Sequence, residues 1–215
     1  LEKEAQMSNI QQHFEQHEGH LLGELQLRGV MVGQSQWQLT IDSLLLNWSP
    51  AELLDGRLVF NTIATEQLQV TLSSTKAPSK ESSSSFELPT LDLPFTLAIG
   101  SLTAQNNGLT IDGQHHELPS IDLALTWQQS NVELDHLDVM YSPLFAKLSG
   151  QLETTADYPL DLTLDWHLSQ PIQQVEIQQI SGQSSLQGTV DDFRLDNRFY
   201  VAESSQQHQA QVRVR

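Results

Sequence analysis

Apolar side chains recur at every second position through most of this chain. Leu25 and Leu27 alternate with Glu24, Gln26 and Arg28, and Trp37, Leu39 and Ile41 alternate with Gln36, Gln38 and Thr40. Successive side chains of an extended strand point to opposite faces, so each run predicts a strand with one apolar and one polar face. In LLLNW the apolar positions become Leu44, Leu46 and Trp48. That change of parity predicts a β-bulge or bend near Asp42 and Ser43. Strand character resumes at residues 57–60 and 66–72.

The second half is more regular. Leu91, Leu93, Phe95, Leu97 and Ile99 alternate, as do Leu109 and Ile111, and then Ile121, Leu123, Leu125 and Trp127. Val132 and Leu134 begin another strand, and Leu137, Val139 and Tyr141 continue it on the other parity. Leu144, Ala146, Leu148 and Leu152 lead to DYPLDLTLDWHLS at 157–169, where Leu160, Leu162, Leu164, Trp166 and Leu168 alternate with Asp161, Thr163, Asp165 and His167. Turn signals separate the runs: NNG at 106–108, DG at 112–113 and SG at 149–150. After Pro171 the signal thins to Val175, Ile177, Ile180, Leu186 and Val190, and a Gln-rich tail ends in QVRVR. The pattern predicts roughly ten to twelve consecutive strands. A meandering antiparallel sheet is the simplest topology. A sheet that wide must curl, close or pack on another sheet.

Two helices are expected. Residues 1–18 hold good helix formers and no Gly or Pro, with Met7, Ile10 and Phe14 at helical spacing. In WSPAELLDG, Ser49 suits an N-cap, Pro50 the first helical position and Glu52 a capping box, with Gly56 as terminator. That predicts a short helix at 50–55. Residues 73–85, SSTKAPSKESSSS, carry almost no apolar side chain and read as a flexible loop. The chain therefore divides into residues 1–19, a helical segment or a remnant foreign to the fold; 20–72, a first β segment; the loop 73–85; and 86–215, a second β segment.

Composition narrows the function. Of the 215 residues 38% are hydrophobic and only 17% charged, as suits a sheet apolar on one face. The net charge of −17, from 27 acidic and 10 basic residues, argues against nucleic acid, which needs clustered Lys and Arg, and against broad adhesion to anionic headgroups. With no cysteine there is no disulfide, thiolate metal site or Cys nucleophile. No run approaches the apolar length of a membrane span, and LEKEAQMSNIQQ does not read as a signal peptide.

Candidate chemistry is sparse. His13 and His17 are four apart and would share a helix face, but Phe14 stands where a zincin motif needs Glu. These histidines and His20 read better as polar residues on an exposed segment. His115, His116 and Glu117 follow a turn, and neighbours on a strand face opposite ways. Asp161, Asp165, Asp191 and Asp192 could be searched for a glycosidase pair, but nothing marks them as buried, and solvated outer-face acids are the better reading. No GxSxG, P-loop or dinucleotide fingerprint is present. The reading is of a protein that is not an enzyme and uses no cofactor or metal.

Two segments carry a family resemblance. One is LLGELQLRGVMVG…WQLTIDSLLLNWSPAELLDGRLVFNTI; the other is LPFTLAIGSLTAQNNGLTIDG…LPSIDLALTWQQSNVELDHLDV, ending with DYPLDLTLDWHL. Through Gly29, Val30, residues 44–48, Pro50, Leu53, Leu54, Gly56, Leu93, Pro94, Trp127, Tyr158, Pro159 and Leu160, the chain resembles the N-terminal region of the TamB family of AsmA-like, repeating β-groove proteins. The match spans roughly residues 20–170; its elements are loose singly, and their order carries it.

The resemblance implies an all-β fold: a curved, mainly antiparallel sheet forming an open, taco-like hydrophobic groove. It implies a segment of a periplasm-spanning conduit carrying phospholipids between inner and outer membranes, with TamA, an outer-membrane barrel, as partner and an inner-membrane anchor outside this chain. The expected groove lining is Leu91, Leu93, Phe95, Leu97 and Ile99; Ile121, Leu123, Leu125 and Trp127; and Leu160, Leu162, Leu164, Trp166 and Leu168. Trp37, Trp48, Trp127 and Trp166 suit either the sheet core or a groove border where the indole N–H meets headgroups or water. Two other readings stand beside it: a scaffold guiding outer-membrane strands by β-augmentation, and a closed β-sandwich binding module.

Overall fold

The computed structural model describes residues 11–34, 37–73, 91–155, 157–169, 177–203 and 207–214. Among them fifteen strands form one sheet. They are β1 Gln11–His13, β2 Gln16–Gly19, β3 Glu24–Gln34, β4 Trp37–Trp48, β5 Arg57–Leu72, β6 Leu93–Gln105, β7 Gly108–Ile111, β8 Gln114–Glu117, β9 Ser120–Gln129, β10 Asn131–Tyr141, β11 Leu144–Glu153, β12 Leu160–Leu168, β13 Ile177–Gly188, β14 Phe193–Glu203 and β15 Gln207–Val214. The spatial order is β1-β3-β4-β5-β6-β9-β10-β11-β12-β13-β14-β15, with β2 on β3, and β7 and β8 branching from β5. Every pairing is antiparallel except β5 with β6 and β5 with β7. Parallel neighbours need a long crossover, and the chain supplies one between Leu72 and Leu93. The Ser-rich stretch expected as a loop lies there, outside the described residues apart from Ser73.

Among the described residues the sheet is a single layer. Every contact between elements joins hydrogen-bonded neighbours, apart from a short helix resting on β5. The only buried apolar side chains among the described residues are Ile41, Ala104, Ala124 and Tyr158, and no large side chain is fully enclosed. A β-sandwich would bury the inner faces of two sheets about 10 Å apart. The closed sandwich reading is therefore corrected: the sheet is open.

The expected N-terminal helix is also corrected over residues 11–19. His13 pairs with Met31 and His17 with Leu27, so this segment is an edge strand on β3 with one break at Phe14 and Glu15. The Glu15 N–H still donates to the Arg28 carbonyl at 2.9 Å. A lone helix of this length is marginal in water, whereas the edge of β3 offers a row of unpaired backbone groups. The helix at 50–55 is present, as a 3₁₀ turn Pro50–Asp55 closed by Gly56 in the left-handed region at φ 69°. Ser49 does not cap it through its side chain. Its Oγ instead accepts from Asn61 Nδ2 at 3.0 Å, and Glu52 pairs with Arg57 at 2.9 Å.

The parity change in β4 occurs without slipping the register. Arg28 pairs with Ser43 and Val30 with Ile41, and β4 keeps its register on β5 past the same point. The flanking strands take the same step there: Gly29 and Gln67, beside Asp42, both have positive φ, at 62° and 55°. Three strands invert their faces together, so the apolar side chains stay on one side. A second irregular line crosses the middle of the sheet. β6 and β10 each carry an extra residue against β9, between Ile99 and Leu102 and between Leu134 and His136. Between these bulges lies Ala124, only 4% exposed.

One end of the sheet is tied by Thr154. Its hydroxyl donates to the Leu91 carbonyl, with the Ser130 carbonyl at 3.1 Å, and its N–H donates to Ser130 at 2.7 Å. The Leu91 N–H returns a bond to the Thr154 carbonyl at 3.2 Å. Thr154 is buried, so Thr154→Val removes a shielded hydroxyl bond to the Leu91 carbonyl and is expected to lower unfolding stability by about 1 kcal/mol. Thr154→Ser should keep most of it. Urea midpoints check both; a Val variant as stable as the parent would show that the tie contributes nothing.

Candidate functional site: the apolar face

Side chains of directly paired residues share a face, so register alone maps the surface. One row runs Leu25, Leu46, Ile63, Leu102, Leu123, Leu137, Leu148, Leu164, Ser184, Asn197, each paired with the next across ten strands. At about 4.8 Å per strand it extends about 43 Å. The row to one side runs Leu27, Leu44, Thr65, Ala104, Ile121, Val139, Ala146, Trp166, Gly182, Phe199. On the other side lie Trp48, Phe60, Ile99, Leu125, Leu134, Gly150, Leu162, Leu186, Leu195. Members of the central row are half-buried, shielded by lateral neighbours rather than by a second layer.

The opposite face is polar and laced by cross-strand contacts. Gln183 donates to Asp165 at 2.9 Å and Gln187 to Asp161 at 3.2 Å. His136 meets Asp122 at 3.3 Å, and Lys147 meets Asp138 at 3.3 Å. Asp161 and Asp165 thus sit in a solvated ladder. Asp192 belongs to the β13–β14 turn, where its N–H donates to Thr189 Oγ1 at 3.1 Å.

The expected lining residues divide. Leu97, Ile99, Ile121, Leu123, Leu125 and Trp127 are brought together by the β6–β9 register, and Leu160, Leu162, Leu164, Trp166 and Leu168 line one side of β12. Leu93 pairs with Gln129 at the far end, Phe95 falls in the bulge between Leu93 and Thr96, and Leu91 precedes the strand, tied to Thr154. Phe95 and Leu91 are both exposed. Leu102 and Ala104 were missed as members because Gly100 and Ser101 shift the parity after Ile99; that shift was the available signal.

Two tryptophans have their N–H occupied. Trp48 Nε1 donates to the Leu21 carbonyl at 2.6 Å and Trp127 Nε1 to the Gln129 carbonyl at 2.8 Å. Trp166 lies across Gly182, where a Cβ would stand 2.6 Å from its ring. One polar pair interrupts the central row: Ser184 Oγ donates to Asn197 Oδ1 at 2.9 Å.

The histidines do not assemble into a site. His13 and His17 sit on a broken edge strand rather than on one helix face. His115 and His116 alternate on β8, with His115 Nδ1 3.3 Å from Thr110 Oγ1. Among the described residues no group of three or more His, Cys, Asp or Glu could hold a metal ion, and no helix is long and apolar enough to cross a membrane.

This fold and face define a class: an open β-sheet protein whose described residues form one layer and present an extended apolar face. The family model described as TamB, N-terminal domain, matches residues 5–138 and residues 83–212, and the chain belongs to that family. No curated protein and no solved structure matches the chain.

The Trp166–Gly182 packing is testable. In Gly182→Val the new side chain must displace the indole and crowd the Arg198 carbonyl, 2.9 Å from the Cβ position. The expected loss is about 1–3 kcal/mol with a changed tryptophan emission. Gly23→Ala, where a Cβ meets nothing within 4 Å, serves as the control and should change neither. Equal behaviour of the two variants in a urea titration would refute the packing.

Proposed function

We propose that this chain is one segment of a conduit that carries phospholipids along its apolar face, across the periplasm between inner and outer membranes. One observation carries the reading: an apolar surface spans ten strands, and among the described residues no second layer covers it. Water against such a surface is unfavourable, at about 25 cal/mol per Å² of apolar area. An acyl chain in water has the same problem: a tail of about sixteen carbons loses on the order of 10 kcal/mol at about 0.8 kcal/mol per CH₂. Laying one on the other relieves both, needs no catalytic residue, and leaves the headgroup in solvent at the open side. The lining set is Leu97, Ile99, Ile121, Leu123, Leu125, Trp127, Leu160, Leu162, Leu164, Trp166 and Leu168, joined by Leu102 and Ala104, with Leu91, Leu93 and Phe95 at the margin. The anchor in the inner membrane and the junction with TamA belong to the longer protein.

A second reading has one observation in its favour. β8 pairs with β7 alone among the described residues, leaving a free backbone edge at Gln114–Glu117 on which a client strand could add. It predicts backbone pairing rather than lipid contact.

The test places a photo-crosslinking residue at Leu125 or Leu164, and at Thr126 or Asp165 on the opposite face. Lipid adducts are expected from the first pair only, and organic extraction of detergent-free protein should yield phospholipid by mass spectrometry. Leu125→Asp and Leu164→Asp should abolish the adducts in folded protein and block lipid passage in cells, since a charge in the row opposes the tail. Equal crosslinking from both faces, or unimpaired passage with both variants, would overturn the lipid reading.

A further inference from the structure

The polar face carries an anomaly. It is built mostly of Gln, Ser, Thr and Asp, as a solvated sheet surface should be. Yet the register sets Met140, Phe145, His167, Ser181 and Tyr200 side by side in one row across β10 to β14. Phe145 and His167 stack, with centroids 4.9 Å apart and planes tilted by 30°. A cross-strand pair accounts for those two. Tyr200 is 46% exposed, and among the described residues it makes no ring contact.

Ser181 is the small residue between the two aromatic walls. His167 and Tyr200 are two strand spacings apart, about 9.6 Å, so a slot opens above Ser181. The depression there has a volume of about 470 Å³. Its rim is the adjacent row: Asp165, held by Gln183 at 2.9 Å, and Arg198, which pairs with Gln183 in the register. Among the described residues no carboxylate lies within ion-pair distance of Arg198, although the chain carries a net charge of −17. An exposed cation without a carboxylate partner among the described residues, beside two aromatic rings and in line with amide and carboxylate groups, is a specific combination.

We infer that this slot binds an acidic saccharide, a sugar ring bearing a carboxylate. A saturated sugar ring presents C–H edges that suit the negative faces of His167 and Tyr200, and its hydroxyl or amide groups meet Asp165, Gln183 and Ser181. The carboxylate reaches the Arg198 guanidinium, whose planar fork matches it. A flat aromatic ligand would use the walls but leave the polar rim unpaired, and a bare anion would use Arg198 alone. The slot lies on the face opposite the apolar rows and stands independently of the lipid reading.

Three probes separate these cases by saturation-transfer NMR and titration: N-acetylmuramic acid, with ring and acid; N-acetylglucosamine, the same ring without the acid; and lactate, the acid alone. The acidic sugar is expected to bind at least about tenfold more tightly than the neutral one, the low end for one charge-assisted hydrogen bond. Arg198→Gln should erase that difference, and Tyr200→Ala should remove ring saturation for both sugars. Tyr200→Phe keeps the ring face and should retain binding, which guards against a merely unfolded variant. Lactate binding as tightly as the acidic sugar, no ring saturation, or unchanged binding in both loss variants would overturn the assignment.

Discussion

Everything in this molecule depends on register. A strand has a side-chain period of two, so a slip of one residue would send a whole apolar set to the wrong face. Ten strands hold one row from Leu25 to Asn197, and that alignment turns separate amphipathic strands into one surface. Among the described residues no second layer is present to correct errors. The alignment must come from the cross-strand ladders themselves, Leu on Leu on one side, Gln on Asp on the other.

Irregularities are arranged to respect that constraint. An isolated bulge in β4 would have inverted its upper half against both neighbours. Gly29 and Gln67 take the same step at the same level, so all three strands turn over together. Gly29 meets the need with no Cβ penalty; Gln67 bears the strain of a positive φ that few side chains adopt. In the middle of the sheet the opposite solution appears: β6 and β10 bulge on either side of β9, and Ala124 between them is small enough to be enclosed. Bulges sharpen local twist, which a wide sheet needs in order to curl rather than lie flat.

Much of this was legible in the sequence, and what was not has identifiable causes. The alternation from Leu160 to Leu168 marks a strand because half of its surface avoids water, and that demand is local. Those runs did not by themselves say that the sheet stays open, since a sandwich core alternates in the same way; the family resemblance implied it. Residues 11–19 misled because helix propensity is a weak prior, and the edge of β3, invisible in a local window, decided the matter. The parallel step from β5 to β6 was not readable, since the Ser-rich residues 73–85 between them carry almost no apolar side chain and so no sign of a crossover. Leu102 and Ala104 dropped out of the lining set because Gly100 and Ser101 break the alternation. The slot at Phe145, His167 and Tyr200 could not be seen at all, because only the register of four strands places those residues together.

A single layer also has an energetic consequence. When each strand touches only its neighbours, stability is approximately a sum of nearest-neighbour terms, as in repeat proteins. Such a sheet has no central core whose loss unfolds it at once, and its weakest interfaces open first. The weak points are where apolar side chains give way to Ser184 and Asn197, and to Gly182. Anything apolar that occupies the face binds the paired state and not the unpaired one, so it stabilises the sheet by mass action. A surface suited to holding a hydrocarbon is then also one whose strands are better aligned when the hydrocarbon is present. On the proposed reading, carrying and folding would be coupled through the same rows of leucines.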